Sequence, residues 1–183
     1  LPSQESGIQT TEMQMQSINV AIQEKITDSD DNWTTVANTA GETGEAFASL
    51  NKFEVGTVYG DLFRVYNDGD IDEYVRVVVY KYWTDDNGVK DYSGDASLIE
   101  LVFPAKSNWV IDTVNSSPEK TILFYTKPLA TENASDVFLS GLNLNGKIKN
   151  EFTVTESTVN DYTTITYEYK YNNKAFKIEL EAD

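Results

Sequence analysis

The chain has no cysteine and no histidine in its 183 residues. Without cysteine there is no disulfide framework and no thiolate chemistry. Without histidine there is no imidazole acid–base catalysis, and with both missing the usual zinc sites and every Ser-His-Asp or Cys-His arrangement are removed. A domain of this size folds without disulfides, so the missing cysteines assign no compartment. Basic residues are scarce as well, with 14 Lys and Arg against 30 Asp and Glu, a net charge of -16 and a pI near 4.2. A surface this negative repels phosphate backbones and anionic headgroups, so neither nucleic acid nor membrane insertion is expected, and solubility is the plain reading of the acidity. No apolar run approaches the length of a membrane span. Leu1-Pro-Ser-Gln-Glu-Ser-Gly7 is polar and unlike a signal peptide.

What is present is apolar and aromatic: 40% hydrophobic residues, with 11 Tyr and 8 Phe, too much for a disordered chain. The stretch Tyr74-Val-Arg-Val-Val-Val-Tyr-Lys-Tyr-Trp83 is dense in β-branched and aromatic types. Alternation puts Val75, Val77, Val79 and Trp83 on one face and Tyr74, Arg76, Val78, Tyr80 and Tyr82 on the other. This pattern predicts a central strand covered on both sides, bounded by the turn clusters at 67–72 and 85–88. Residues 1–11 read as a flexible arm and 12–183 as one domain. Further strands are expected within 12–26, around Leu62 to Tyr66, at Leu98 to Phe103, Trp109 to Thr113, Thr121 to Thr126 and Glu151 to Thr155. Trp33 to Ala40 is ambiguous, residues 41–50 suggest a short helical turn, and residues 127–139 read as a linker. Asp85 to Gly88 is the best hairpin-type turn, and Tyr162 to Tyr171 is expected to pair with Lys174 to Leu180 across Asn172-Asn173. Short strands at frequent turn signals, with no long amphipathic helix, specify an all-β, two-sheet antiparallel sandwich.

Few side chains offer chemistry. Asp28 to Asn32 and Asp68-Gly-Asp70-Ile-Asp72 each begin like a calcium loop, with oxygen ligands at alternate positions. Neither completes it, because the sixth position is Trp33 or Glu73 and the twelfth is Thr39 or Val79. A surface calcium site would fall on Asp70 and Asp72; otherwise these residues simply serve turns. Carboxylate pairs for glycoside hydrolysis are spatial and leave no sequence signal. A Ser-Lys dyad has no local motif behind it, so no catalytic residue and no cofactor is assigned. Trp33, Trp83, Trp109, Tyr125 and the run Tyr162, Tyr167, Tyr169, Tyr171 are candidates for a carbohydrate platform, although large aromatics in a β-sandwich more often serve the core or cross-strand pairs. Arg64 and Arg76, the two arginines, are expected to pair with carboxylates. The segment containing Met13, Met15, Ile18, Val20 and Ile22 alternates behind a polar leader and is the candidate assembly strand, able to add to the sheet edge of a neighbouring molecule.

The order of Asn67-Asp-Gly69, Tyr74-Val-Arg-Val, Trp83-Thr-Asp-Asp-Asn-Gly88, Leu98-Ile-Glu-Leu, Asn108-Trp109 and Phe124-Tyr-Thr-Lys-Pro-Leu129 resembles exported Gram-positive proteins of the TasA/camelysin type. Ile18-Asn-Val-Ala-Ile22 resembles the first mature strand of that group, and Phe53-Glu-Val-Gly56 its Pro-Gly-Asp strand, with Val55 in place of the proline. The likeness spans roughly residues 17–145. It implies a jelly-roll-like sandwich, secretion to the cell surface or biofilm matrix, and partners that are copies of the chain or related matrix subunits. The protease activity attributed to camelysin finds no histidine here to hold zinc. The expectation is a non-enzymatic surface or matrix structural protein, with a carbohydrate-binding or adhesin module as the alternative.

Overall fold

The structure, a computed structural model, describes residues 16–26, 31–48 and 52–183. It is an all-β sandwich of two five-stranded antiparallel sheets. The strands in chain order are β1 (Val20–Lys25), β2 (Thr34–Ala37), β3 (Thr43–Glu45), β4 (Val58–Asn67), β5 (Arg76–Thr84), β6 (Ile99–Val102), β7 (Trp109–Ile111), β8 (Lys120–Tyr125), β9 (Leu139–Leu144), β10 (Phe152–Val159), β11 (Tyr162–Tyr169) and β12 (Ala175–Ala182). One sheet runs β2-β1-β4-β9-β6 and the other β3-β12-β5-β8-β7, so the chain crosses repeatedly between layers. The inner faces supply Val20, Ile22, Phe63, Val65, Leu139 and Leu142 from the first sheet, packed on Val77, Val79, Leu123, Ile178 and Leu180 from the second.

β5 lies in the middle of its sheet, between β12 and β8. Its inner face is as expected: Val75, Val77, Val79 and Trp83 are all buried. Its outer face corrects the expectation of cover on both sides. Among the described residues no layer lies over it: Tyr74 and Arg76 are exposed, Tyr80 and Tyr82 half-buried, and Val78 is buried.

The Asp85–Gly88 turn forms, with Gly88 at φ 79° and Asp85 Oδ1 accepting from the N–H groups of Asn87 and Val89. The hairpin is minimal: one antiparallel bridge, Thr84↔Lys90, made by bonds from Asp85 N to Val89 O and from Asp91 N to Trp83 O, both 2.8 Å. Beyond it the chain wraps Trp83, whose indole N–H donates to the Asp95 carbonyl at 2.7 Å. Gly94 lies flat against that indole, where a Cβ would meet Trp83 carbons at 2.6 Å. Gly94→Ala must therefore displace a buried ring, and a loss of about 2 kcal/mol is expected in chemical denaturation.

The pairing expected across Asn172-Asn173 is corrected. β12 alternates as foreseen, with Ile178 and Leu180 inward, but its neighbours are β5 and β3. β11 folds back on β10 across Asn160-Asp161, both at positive φ (49° and 65°), which is what a two-residue type I′ connection needs. At the other candidate turn only Asn173 has positive φ (57°), and the bend there sends the chain away from β11. Two further strands escaped the reading. β9, which begins at Leu139 where the expected linker ends, fills the gap between β4 and β6; β3, where a helical turn is expected, pairs with β12.

Candidate assembly surface

β10 and β11 belong to neither layer of the sandwich. They form a separate two-stranded ribbon of eight cross-strand pairs, about 26 Å long at strand spacing. Because directly paired residues share a face, the register sorts the side chains. One face carries Phe152 and Tyr169, Val154 and Tyr167, and Glu156 opposite Ile165. The other carries Thr153 and Glu168, Thr155 and Thr166, and Ser157 and Thr164. Phe152, Val154, Ile165, Tyr167 and Tyr169 are each 45 to 55% exposed. Their contacts are with one another, Phe152 lying 5.7 Å from Tyr167 and 5.5 Å from Tyr169. Neither strand has a second hydrogen-bonded neighbour among the described residues, so both backbone edges face outward. The ribbon is rooted where Tyr171 leans on Trp83 at 4.6 Å and accepts from the Asp95 N–H at 3.0 Å.

Beside that root a cleft of about 410 Å³ opens between Phe53, Trp83, Leu144, Ile148, Tyr171 and Phe176, with Glu45 and Lys174 also lining it. Lys174 is bound to Asp91 at 2.8 Å.

Of the candidate assembly strand, Val20 and Ile22 lie buried in β1 within their own sheet, Val20 paired to Asn67 of β4 and Ile22 to Val65 of β4 and Ala37 of β2. Ile18 precedes the strand and is exposed. Met13 and Met15 lie outside the described residues, as do Asp28, Asp30 and the 1–11 arm. Asp70 and Asp72 both act in the turn. Asp70 Oδ2 accepts from the Ser17 N–H and hydroxyl at 3.3 and 3.2 Å, and Asp72 Oδ1 from the Thr131 N–H at 3.0 Å. Gly69 lets this loop touch the segment before β1, since a Cβ there would fall 2.7 Å from Asn19 N and Ser17 O. No group of three or more metal-ligating side chains is gathered among the described residues.

The aromatic platform largely dissolves into the core. Trp83, Trp109 and Tyr125 are buried, Trp109 lying 4.8 Å from Tyr125 and 5.6 Å from Phe138. Trp33 is covered by the Arg64 guanidinium at 4.1 Å. That stacking, with a bond to Gln23 at 2.9 Å, replaces the carboxylate partner expected for Arg64. Arg76 does pair with a carboxylate, Asp183, through two bonds of 2.9 and 2.6 Å.

Two inward-facing charged residues went unnoticed in the sequence. Lys81 shares the parity of Val77, Val79 and Trp83; its amine donates to the Ile99 carbonyl, and burial lowers its pKa against the opposing fields of Glu100 and Asp95. Asp61 shares the parity of Phe63 and Val65 and is 1% exposed. A charge falling in register with a buried hydrophobic face was the available signal for both. No protein-family model, curated protein or solved structure matches this chain.

Proposed function

We propose that this chain is an exported structural protein of a cell surface or extracellular matrix that acts by associating with copies of itself rather than by catalysis. The β10–β11 ribbon carries this reading. A lone two-stranded hairpin is marginal in water, and an apolar face on one is costly unless something covers it. The ribbon's apolar face has a single charge, Glu156, near its middle and threonine-rich chemistry behind it, so a second ribbon laid face to face repeats the packing of a small sandwich. Five half-exposed side chains offer roughly 450 Å² per copy, and two copies together about 900 Å², below the roughly 1,200 Å² of a stable specific interface. Association is therefore weak and concentration-dependent, and the two open edges add backbone pairing to it. The ordered motifs shared with the TasA/camelysin group support the location, and the acidic surface keeps isolated copies soluble.

The test is sedimentation and electron microscopy of concentrated protein. The native chain is expected to form dimers and higher assemblies at high concentration. Ile165→Glu with Tyr167→Glu is expected to stay monomeric with an unchanged circular dichroism spectrum and melting midpoint. A native protein that remains monomeric at about 1 mM, a concentration far above that of useful weak contacts, overturns self-association. The carbohydrate-binding alternative now rests on the ribbon tyrosines, and a glycan-array signal lost in Tyr167→Ala would favour it.

A further inference from the structure

We propose that Asp61 and Glu24, which face each other on the inner side of the first sheet, form a binding site for a divalent cation, with Ca²⁺ the ion that best suits their chemistry. The site is independent of the ribbon and of any self-association. In the β1–β4 ladder Val20 opposes Asn67, Ile22 opposes Val65 and Glu24 opposes Phe63. The inward direction of Val20, Ile22, Val65 and Phe63 therefore fixes that of Glu24. Asp61 lies two residues before Phe63 on the same face, diagonal to Glu24, a separation that long side chains span. It also stands where β4 slips against β9, between Gly60 and Phe63, so the regular ladder is broken beside it.

Both Asp61 carboxyl oxygens are buried without a hydrogen bond of normal geometry, the Glu24 carboxyl and the Leu62 N–H being the polar groups that approach them. No Lys or Arg among the described residues forms an ion pair with them. The ion pairs among the described residues are Lys25–Asp31, Arg76–Asp183, Lys90–Glu119 and Lys174–Asp91, and Lys25 points to the opposite face from Glu24. Glu24 is the one charged side chain whose field acts on Asp61, and it is repulsive. Two apposed carboxylates away from water need a positive partner, which is either a shared proton or a metal ion.

Oxygen-only ligands select a hard cation. Ca²⁺ accepts mono- or bidentate carboxylates in irregular shells completed by water, whereas Mg²⁺ demands a regular octahedron. Glu24 is only partly buried and leads from solvent to Asp61. Two carboxylates without a third acidic ligand make a site of modest affinity, on the order of 10⁻⁴ to 10⁻³ M, as in extracellular modules. Binding displaces the proton from the pair, so it strengthens as pH rises.

The experiment is thermal unfolding of chelator-treated protein at about pH 8, with CaCl₂ compared against NaCl of equal ionic strength. About 10 mM Ca²⁺ is expected to raise the midpoint by roughly 3 °C in the native chain and to leave Asp61→Asn and Glu24→Gln unmoved. Calorimetry in two buffers of different ionisation enthalpy is expected to show proton release on binding. Both variants keep the side-chain shape and lessen the repulsion between the two carboxyl groups, so they fold. A native chain that ignores Ca²⁺, or variants that respond as it does, would overturn the site and leave the pair held by its proton alone.

Discussion

Asn67→Ala is expected to lower the unfolding free energy by about 4 kcal/mol, the largest single loss outside the hydrophobic core. The side chain is fully buried and makes three hydrogen bonds. Its amide donates to the Ile71 and Leu129 carbonyls at 2.8 and 2.9 Å, and its oxygen accepts from the Gly69 N–H at 2.9 Å. Alanine removes all three bonds and leaves a void. The Ile71 carbonyl loses its amide donor, while the Leu129 carbonyl keeps the Glu73 N–H and the Gly69 N–H keeps the Asn19 carbonyl, each at 3.1 Å. The loss is that of three bonds plus the cavity. Asn67→Asp sets a carboxylate against the same two carbonyls and is expected to be worse than alanine at neutral pH. The damage spreads along the chain, because the loop held by Asn67 carries the bonds from Gly69 N to Asn19 O (3.1 Å) and from Asp70 N to Ser17 O (2.9 Å). Urea unfolding gives the magnitude. Faster amide exchange at Gly69 and Asp70 than at the centre of β4 would locate it.

The second large effect is on pH dependence in the absence of divalent ions. Burial, then the neighbouring Glu24 carboxyl, push the Asp61 pKa up to about 9 from an ordinary 3.8. The folded state therefore holds a proton that the unfolded chain releases, so this group's contribution is complete below the unfolded pKa and declines as pH rises toward the folded one. The slope approaches about 1.4 kcal/mol per pH unit, or roughly 4 kcal/mol between about pH 5 and about pH 8. Asp91 acts in the opposite sense. Bonds from Lys174 and Ser93 hold its carboxyl down at about 2, so its contribution is present above 3.8 and is lost as pH falls through 2. Asp95, Glu100, Asp112 and Asp136 are lowered by their hydrogen bonds and lose their contributions on the same acid side. Stability is thus expected to peak in mildly acid solution. Asp61→Asn should flatten the alkaline limb and be the more stable protein at pH 8. Denaturant midpoints for both chains across that range check it, and parallel curves would mean that Asp61 does not titrate as described.

How much of this was legible depended on whether a signal was local. The β5 strand was, because β-branched and aromatic density is a property of ten consecutive residues. The in–out alternation of Phe176, Ile178 and Leu180 was equally readable, but it fixes a face and says nothing of a neighbour. That is why β12 was assigned to β11 when its partners are β5 and β3. The ribbon exposed the same limit from the other side. Phe152, Val154, Ile165, Tyr167 and Tyr169 alternate as a buried face would, and only the tertiary arrangement leaves them outside. β9 failed for composition: Ser140, Gly141 and Asn143 favour a loop, and the space between β4 and β6 overrides them. Asp61 and Lys81 were readable in principle, since strand parity alone places each among buried neighbours.

The position of β12 bears on when this molecule can acquire its shape. The strand that flanks β5 on one side comes late in the chain, and the bond joining Arg76 to Asp183 spans 107 residues. During synthesis β5 therefore waits, open along that flank, until residues 85–174 have been made. Closure over such a distance is slow, because the loop must be drawn together before any contact repays it. Until β12 arrives, the second sheet lacks the strand that joins β3 to β5.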